Sequence, residues 1–395
     1  VSEILKSQLL KQEQCYIGDG GLFCLVSWDV SKEKVESRLK ELIEKIQAGD
    51  CAQGKYNIQL SAGAYWHLIN KENVGEGTLS LSSVSLPAMD SFIDTDSHWP
   101  ENFFTKARAA LKQLKISDKG GVRFFDDNLA EKIRTEKLLE NNFQQALENN
   151  EFVLYYQPKY GIKGAEPELH GAEALIRWIS PEYGFLSPGR FIPLFERDGN
   201  LEILDRHVLK LACRQLRQWL DAGYKAVPIS VNISRRNIVG GNNFLAYALD
   251  VLAEYQIPIN LIQLEILETD ASVDSKLLIR FLQIFKSSGF SLAMDDFGSG
   301  YSSLGMFNSM PIDCLKLDKS FFDSWQPDMS ERDSCLIKYM IKAAHDTGRT
   351  VVAEGIEEKF QVDLLRQYDC DMIQGYYFSK PLPAEEFASK MHKRV

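Results

Sequence analysis

The stretch Phe290-Ser291-Leu292-Ala293-Met294-Asp295-Asp296-Phe297-Gly298 is a short apolar run that leads into two adjacent carboxylates. A run of this length and composition reads as a buried strand. Acidic groups at its end are costly to bury unless they are paired or hold a metal. The same pattern recurs on both sides of it. Strand candidates lie near 152–158, 169–178, 227–233, 261–267, 290–295, 312–317, 350–354 and 371–378, separated by amphipathic stretches such as Phe191–Ala222 and Asp333–Thr347. Strands and helices alternating in this number predict an α/β fold of the (β/α)8, TIM-type barrel class. A doubly wound open sheet also alternates, but usually with fewer strands for this length.

Each strand candidate carries a polar residue in or at the end of its apolar run. They are Gln157, Glu173, Asn232, Glu265, the pair Asp295 and Asp296, Lys316, Glu354 and Gln374. One such residue could belong to a structural ion pair. A set contributed by every strand points instead to the carboxyl-end mouth, where barrels of this class place their active sites. Glu173, Glu265, Asp295, Glu354 and Asp296 in one mouth are expected to repel each other and raise each other's pKa values. Divalent cations relieve that conflict. An all-oxygen donor set completed by the Asn232 carbonyl selects Mg²⁺ or Mn²⁺ over zinc. With a single lysine among them, these groups match two-metal hydrolysis of a phosphodiester.

Composition narrows the partners. The 395 residues carry 45 Lys and Arg against 55 Asp and Glu, a formal net charge of −10. Such a chain has no broad basic surface for duplex nucleic acid, so phosphate must be met by a few placed cations or by metal ions. The seven cysteines are scattered, with no C-x-x-C pair, and read as free thiols in a reducing cytoplasm. No apolar run reaches the length of a membrane span and no signal peptide opens the chain. Its first residue is Val1 rather than Met, which leaves room for an upstream sensory or membrane segment.

Residues 1–126 read as a smaller α/β unit. A strand over 22–28 follows Gly18-Asp19-Gly20-Gly21, and a helix carries Val35, Leu39, Leu42, Ile43 and Ile46 on one face. Further strands are expected over 55–66 and 121–125, with a loop over 78–98 and a helix over 102–115. A helix over 128–149, capped by Asp127 or Asn128, is read as a connector spanning 127–150, and 151–395 as the barrel.

Several of these residues carry a family resemblance. Glu173-Ala174-Leu175, followed by Ile176-Arg177-Trp178, resembles the EAL motif of bacterial cyclic-di-GMP phosphodiesterases. Asp295-Asp296-Phe297-Gly298-Ser299-Gly300-Tyr301-Ser302-Ser303 is similar to that family's longest conserved stretch. The likeness continues through Lys316-Leu317-Asp318, Ala353-Glu354-Gly355-Ile356-Glu357 and Gln374-Gly375-Tyr376-Tyr377-Phe378, covering about 140–390. The resemblance implies a (β/α)8 barrel with one antiparallel strand that cleaves cyclic-di-GMP to linear pGpG. It implies that Glu173, Asn232, Glu265 and Asp295 hold one ion, and that Asp295 bridges to a second held with Asp296 and Glu354. Lys316 orients or deprotonates the attacking water, with Glu354 the competing base. Gln157, Arg177 and Gln374 position the dinucleotide. Glu268 anchors the loop Asp296–Ser303, in which Gly298 and Gly300 permit unusual backbone angles. Leu267 stands where the family usually has Thr, and Ser299 is a milder change of the same kind.

Asp19-Gly20-Gly21-Leu22-Phe23 resembles a degenerate GGDEF, or diguanylate cyclase, motif. Gly21-Leu22 replaces its catalytic acidic pair, and the usual first strand with its metal-binding aspartate is missing. The expectation is a truncated cyclase-like domain, inactive, that either has a regulatory or dimerising role or is vestigial. A homodimer is compatible with that reading. The alternatives to a phosphodiesterase are a non-catalytic cyclic-di-GMP receptor signalling through a partner protein, and a barrel hydrolase for another phosphodiester.

Overall fold

Glycine, proline and a few capping side chains divide the apolar runs into elements. The structure is a computed structural model that describes residues 5, 7–11, 13–17, 23–27, 31–51, 62–65, 101–114, 121–239, 244–268, 275–298, 309–329 and 331–393. The chain forms two units, Val1–Lys137 and Leu138–Val395.

In the first unit, β1 (Glu13–Ile17) pairs antiparallel with β2 (Phe23–Ser27). The helix α1 (Lys32–Cys51) buries Leu42, Ile43 and Ile46, three of the positions that its spacing assigns to one face. Leu42 and Ile46 cluster with Leu5, against Cys15 and Leu25. A parallel pair, β3 (Ala62–Tyr65) and β4 (Val122–Phe125), packs with α2 (Glu101–Lys112). Asp19–Leu22, four of the five residues that carry the cyclase likeness, the loop expected over 78–98 and residues 55–61 and 66 of an expected strand lie outside the described residues.

The helix α3 (Asp127–Glu148) runs through the boundary between the units and buries Leu129, Leu139, Phe143 and Ala146. Its cap is neither Asp127 nor Asn128 but Asp126, whose Oδ1 accepts the Leu129 N–H at 2.8 Å. That oxygen satisfies one of the N–H groups a helix start leaves without a partner.

The second unit holds β5 (Phe152–Gly161), β6 (Glu168–Ser180), β7 (Gly184–Leu186), α4 (Pro188–Asp198), α5 (Leu201–Asp221), β8 (Ile229–Asn232), α6 (Arg235–Val239), α7 (Phe244–Glu254) and β9 (Ile262–Leu267). Next come α8 (Ser275–Ser287), β10 (Ser291–Phe297), β11 (Cys314–Leu317), α9 (Glu331–Asp346), β12 (Thr350–Glu354), α10 (Lys359–Gln367), β13 (Met372–Gln374), β14 (Leu382–Pro383) and α11 (Ala384–Ala388). Eight strands close into a barrel in the order β5, β6, β8, β9, β10, β11, β12, β13, with β13 pairing back to β5. β5 is antiparallel to both neighbours and every other barrel pairing is parallel. This is the α/β TIM-type fold that the alternating pattern predicts.

Two expected elements differ. The amphipathic stretch Phe191–Ala222 is two helices, because Gly199 takes a left-handed backbone (φ 80°) that ends α4 before α5 begins. The strand expected over 371–378 stops at Gln374. A Cβ on Gly375 would come within 2.1 Å of the Ile356 carbonyl oxygen, so the two backbones meet there only because the residue is glycine.

The core runs between barrel and helices. Phe143, Phe152, Trp178, Phe191 and Phe195 stack at centroid separations of 4.4 to 6.5 Å, and the Trp178 indole N–H donates to Glu151 at 2.8 Å. Among the described residues, no helix is long and apolar enough to cross a membrane, and Cys15, Cys213, Cys314, Cys335 and Cys370 are free thiols. Phe152→Ala, which empties the centre of the aromatic cluster, is expected to lower unfolding free energy by about 3–5 kcal/mol in a urea titration. Leu336→Ala, on an exposed position of α9, should change it by less than about 0.5 kcal/mol. Equal losses would show that the cluster is not packed as described.

Candidate active site

Register places the polar residues at one end of the barrel. Gln157 faces Glu173 across the β5–β6 pair, Asn232 and Ala293 flank Glu265, and Glu354 lies beside Gln374. Successive strand residues ordinarily point to opposite faces, so Asp295 and Asp296 should not share a mouth. The β10–β11 register shifts between Met294 and Phe297, and Asp296 adopts φ 53°. This bulge with one left-handed residue breaks the alternation. Asp295 and Asp296 both line a mouth cavity of about 330 Å³, together with Gln157, Glu173, Glu354 and Gln374.

Lys316, fully buried, is the hub. Its Nζ lies 2.6 Å from Asp295 Oδ1, 2.7 Å from Glu265 Oε2, 2.9 Å from Glu354 Oε1 and 3.2 Å from Glu173 Oε2. These carboxylates hold the ammonium charged, with a pKa well above the lysine value despite burial. Glu173 is braced from two sides: Asn232 Nδ2 donates to its Oε1 at 2.9 Å and Gln374 Nε2 to its Oε2 at 2.6 Å. Gln374 Nε2 also reaches Gln157 Oε1 at 3.3 Å, while its own Oε1 is buried with no partner.

Sequence reasoning missed Lys159. It is buried on β5, and its Nζ donates to Glu265 Oε1 at 2.5 Å and to Ser230 Oγ at 2.7 Å. The signal was present, since Lys159 sits two residues after Gln157 in an aromatic strand and breaks the apolar pattern just as Lys316 does. Its presence corrects the expectation that all the acids have raised pKa values. Glu265, between two ammonium groups, is held down at about 2 although burial opposes this. Asp295 follows the expectation, pushed up to about 7 by burial and by the neighbouring charges of Glu265 and Glu173. Burial also raises Asp296, helped by Asp318, and raises Glu354 well above the carboxylate range, helped by Asp295.

Glu268, also buried, accepts the Gly298 N–H at 2.6 Å. Gly298 has φ 97°, and a Cβ there would overlap the Phe321 ring; Gly300 lies outside the described residues. Leu267 is exposed. Arg177 does not reach the acidic cluster. It donates to the Ile176 carbonyl at 2.9 Å and lies 5.5 Å from the Tyr155 ring centroid, with its pKa lowered by burial. The cavity rim adds Asp318, Lys319, Glu357 and Tyr376, none of which the strand pattern singles out.

The donor set fits divalent cations. Glu173, Glu265 and Asp295 present oxygens within 4.8 Å of one another, and so do Asp295, Asp296 and Glu354. Asp295 belongs to both triads. Five carboxylates face two ammonium groups, an excess of negative charge that hard cations neutralise and that thiol or imidazole ligands do not dilute.

A (β/α)8 barrel with an acidic mouth that could hold cations is the class that fold and site define. Within that class the chain belongs to the EAL domain family, whose pattern residues 140–381 match. It is 35% identical over 300 residues to the Pseudomonas aeruginosa cyclic di-GMP phosphodiesterase NbdA, covering 75% of this chain and 38% of that protein. It is 34% identical over 285 residues to the Escherichia coli oxygen sensor protein DosP, covering 72% and 35% respectively. The chain thus spans little more than a third of these curated relatives. The barrel superposes on the solved PaMucR phosphodiesterase, a cyclic-di-GMP complex, with a TM-score of 0.58 and 31% identity over 63% of this chain and 99% of that one.

The raised pKa of Asp295 fixes a sign for pH dependence. Its folded-state value of about 7 exceeds the ordinary 3.8, so its contribution to stability is complete below about pH 4 and is lost as pH rises through 7. In metal-free buffer the melting temperature should therefore fall between pH 4 and 7 more steeply than in Asp295→Asn. An unchanged slope in Asp295→Asn would contradict the assignment.

Proposed function

We propose that the chain hydrolyses cyclic-di-GMP to linear pGpG at the acidic mouth, with two divalent cations, Mg²⁺ or Mn²⁺. The observation that carries this reading is the pair of carboxylate triads sharing Asp295. Family membership and the names of NbdA and PaMucR support the substrate. Glu173, Asn232, Glu265 and Asp295 hold one ion, and Asp295, Asp296 and Glu354 the other. Bound cations supply Lewis acidity toward the phosphodiester and lower the pKa of water.

The remaining work belongs to the chain. Water adds to phosphorus, one bridging P–O bond breaks, and the leaving oxygen takes up the proton that the water gives up by way of Glu354. Lys316, a charged donor ringed by carboxylates, orients the attacking water, and the proton released goes to Glu354 at the cavity wall. Gln157 and Gln374 position the dinucleotide, the free Oε1 of Gln374 offering an acceptor. Arg177, stacked on Tyr155 away from the acids, contacts a phosphate farther along the ligand in this reading. Glu268 sets the start of the loop after β10 through Gly298.

Residues 1–126 act in this proposal as an inactive, cyclase-derived regulatory segment joined through the helix at 127–150. The replacement of the acidic pair by Gly21-Leu22 supports the loss of cyclase chemistry.

Incubation with cyclic-di-GMP and Mg²⁺ or Mn²⁺, followed by chromatography, should show pGpG. Chelation and Glu173→Ala should each abolish it. Tight binding without turnover in either metal would make the chain a receptor, and preference for a generic aryl phosphodiester would displace the substrate.

A further inference from the structure

The barrel is also open at the end opposite the acidic mouth. Because β5 runs antiparallel to its neighbours, its last residues descend to the end where β6, β8 and β13 begin. A cavity of about 610 Å³ opens there, larger than the one at the mouth and within the size range of small-molecule sites. This end of such barrels ordinarily serves stability rather than binding.

Its charge is opposite in sign to that of the mouth. Lys159, Lys225 and Lys390 line it with His170 and His392, and Glu168 is the one carboxylate among the lining residues. Lys225 and Lys390 have no ion-pair partner among the described residues, in a chain of net charge −10. Val227, Pro228, Met372 and Met391 supply apolar walls, the methionines offering the polarisable contact that planar rings favour. Lys159 is only 3% exposed, and two of its three N–H donors are used, on Ser230 Oγ and Glu265 Oε1.

We propose that this cavity binds a phosphate-bearing ligand of mononucleotide size, and that Lys159 couples its occupancy to Glu265 at the other end of the barrel. An anion beside Lys159 competes with Glu265 for the same ammonium. Drawing Nζ toward the ligand strips Glu265 of one counter-charge, so its carboxylate binds a divalent cation more tightly. By linkage, a bound cation strengthens ligand binding by the same factor. The coupling rests on the cation-site reading above, whereas the binding does not.

GMP titrated calorimetrically into the full chain should bind, with guanosine as the uncharged control much weaker. Lys225→Glu combined with Lys390→Glu should weaken GMP by about tenfold or more, as expected for lost charge-assisted contacts. That variant should turn over cyclic-di-GMP normally in the absence of GMP. In metal-free buffer Glu173→Ala should leave GMP affinity intact, which separates this cavity from the mouth. Saturating GMP should raise Mn²⁺ affinity several-fold, an effect lost in Lys159→Met. Equal GMP affinity in the double variant, loss of GMP binding in metal-free Glu173→Ala, or guanosine binding as tightly as GMP would overturn the site. Unchanged Mn²⁺ affinity would overturn the coupling. A chain that binds GMP in this way but leaves cyclic-di-GMP intact would retain the site while losing the proposed reaction.

Discussion

The Lys316 ammonium, with no exposure to solvent, lies within 3.2 Å of carboxylates from four different strands. Taking such charges out of water costs several kcal/mol per ion, and only close mutual pairing offsets it. Glu173 on β6, Glu265 on β9, Asp295 on β10 and Glu354 on β12 can meet one Nζ only if the barrel closes in the observed register. A slip of one residue on any of these strands would turn its acid to the other face. The interaction that assembles the site thus also constrains the fold. It leaves more negative than positive charge in the mouth, which is why that mouth suits hard cations.

Much of this was legible in the chain. Apolar runs interrupted by one charged or amide side chain identify both the strands and the end at which their chemistry gathers, because a buried charge needs a reason. The antiparallel course of β5 is not written in its composition, and the family likeness suggested only that one strand runs antiparallel. Lys159 was overlooked for a related reason. Beside Pro158, and two residues beyond a plausible ligand contact, it resembles the end of a strand rather than its interior. Only closure of the barrel shows that its ammonium reaches Ser230 and Glu265.

Other features lie below the resolution of a pattern. The sequence pattern puts Asp295 and Asp296 in one mouth, but strand alternation alone gives no reason for it; the bulge and the left-handed backbone of Asp296 supply one. The cap at Asp126 and the helix break at Gly199 each turn on a single residue, where sequence boundaries carry an uncertainty of a few. The depressed pKa of Glu265 follows from a second lysine that the pattern of acids cannot reveal.

The shared ligand Asp295 gives the sharpest measure of the whole account. Mn²⁺ titrated calorimetrically into metal-stripped protein should show two bound ions. Asp295→Asn should weaken both, and Glu354→Gln only one. Asp295→Asn protein that keeps one site at full affinity would contradict a site built on a common carboxylate.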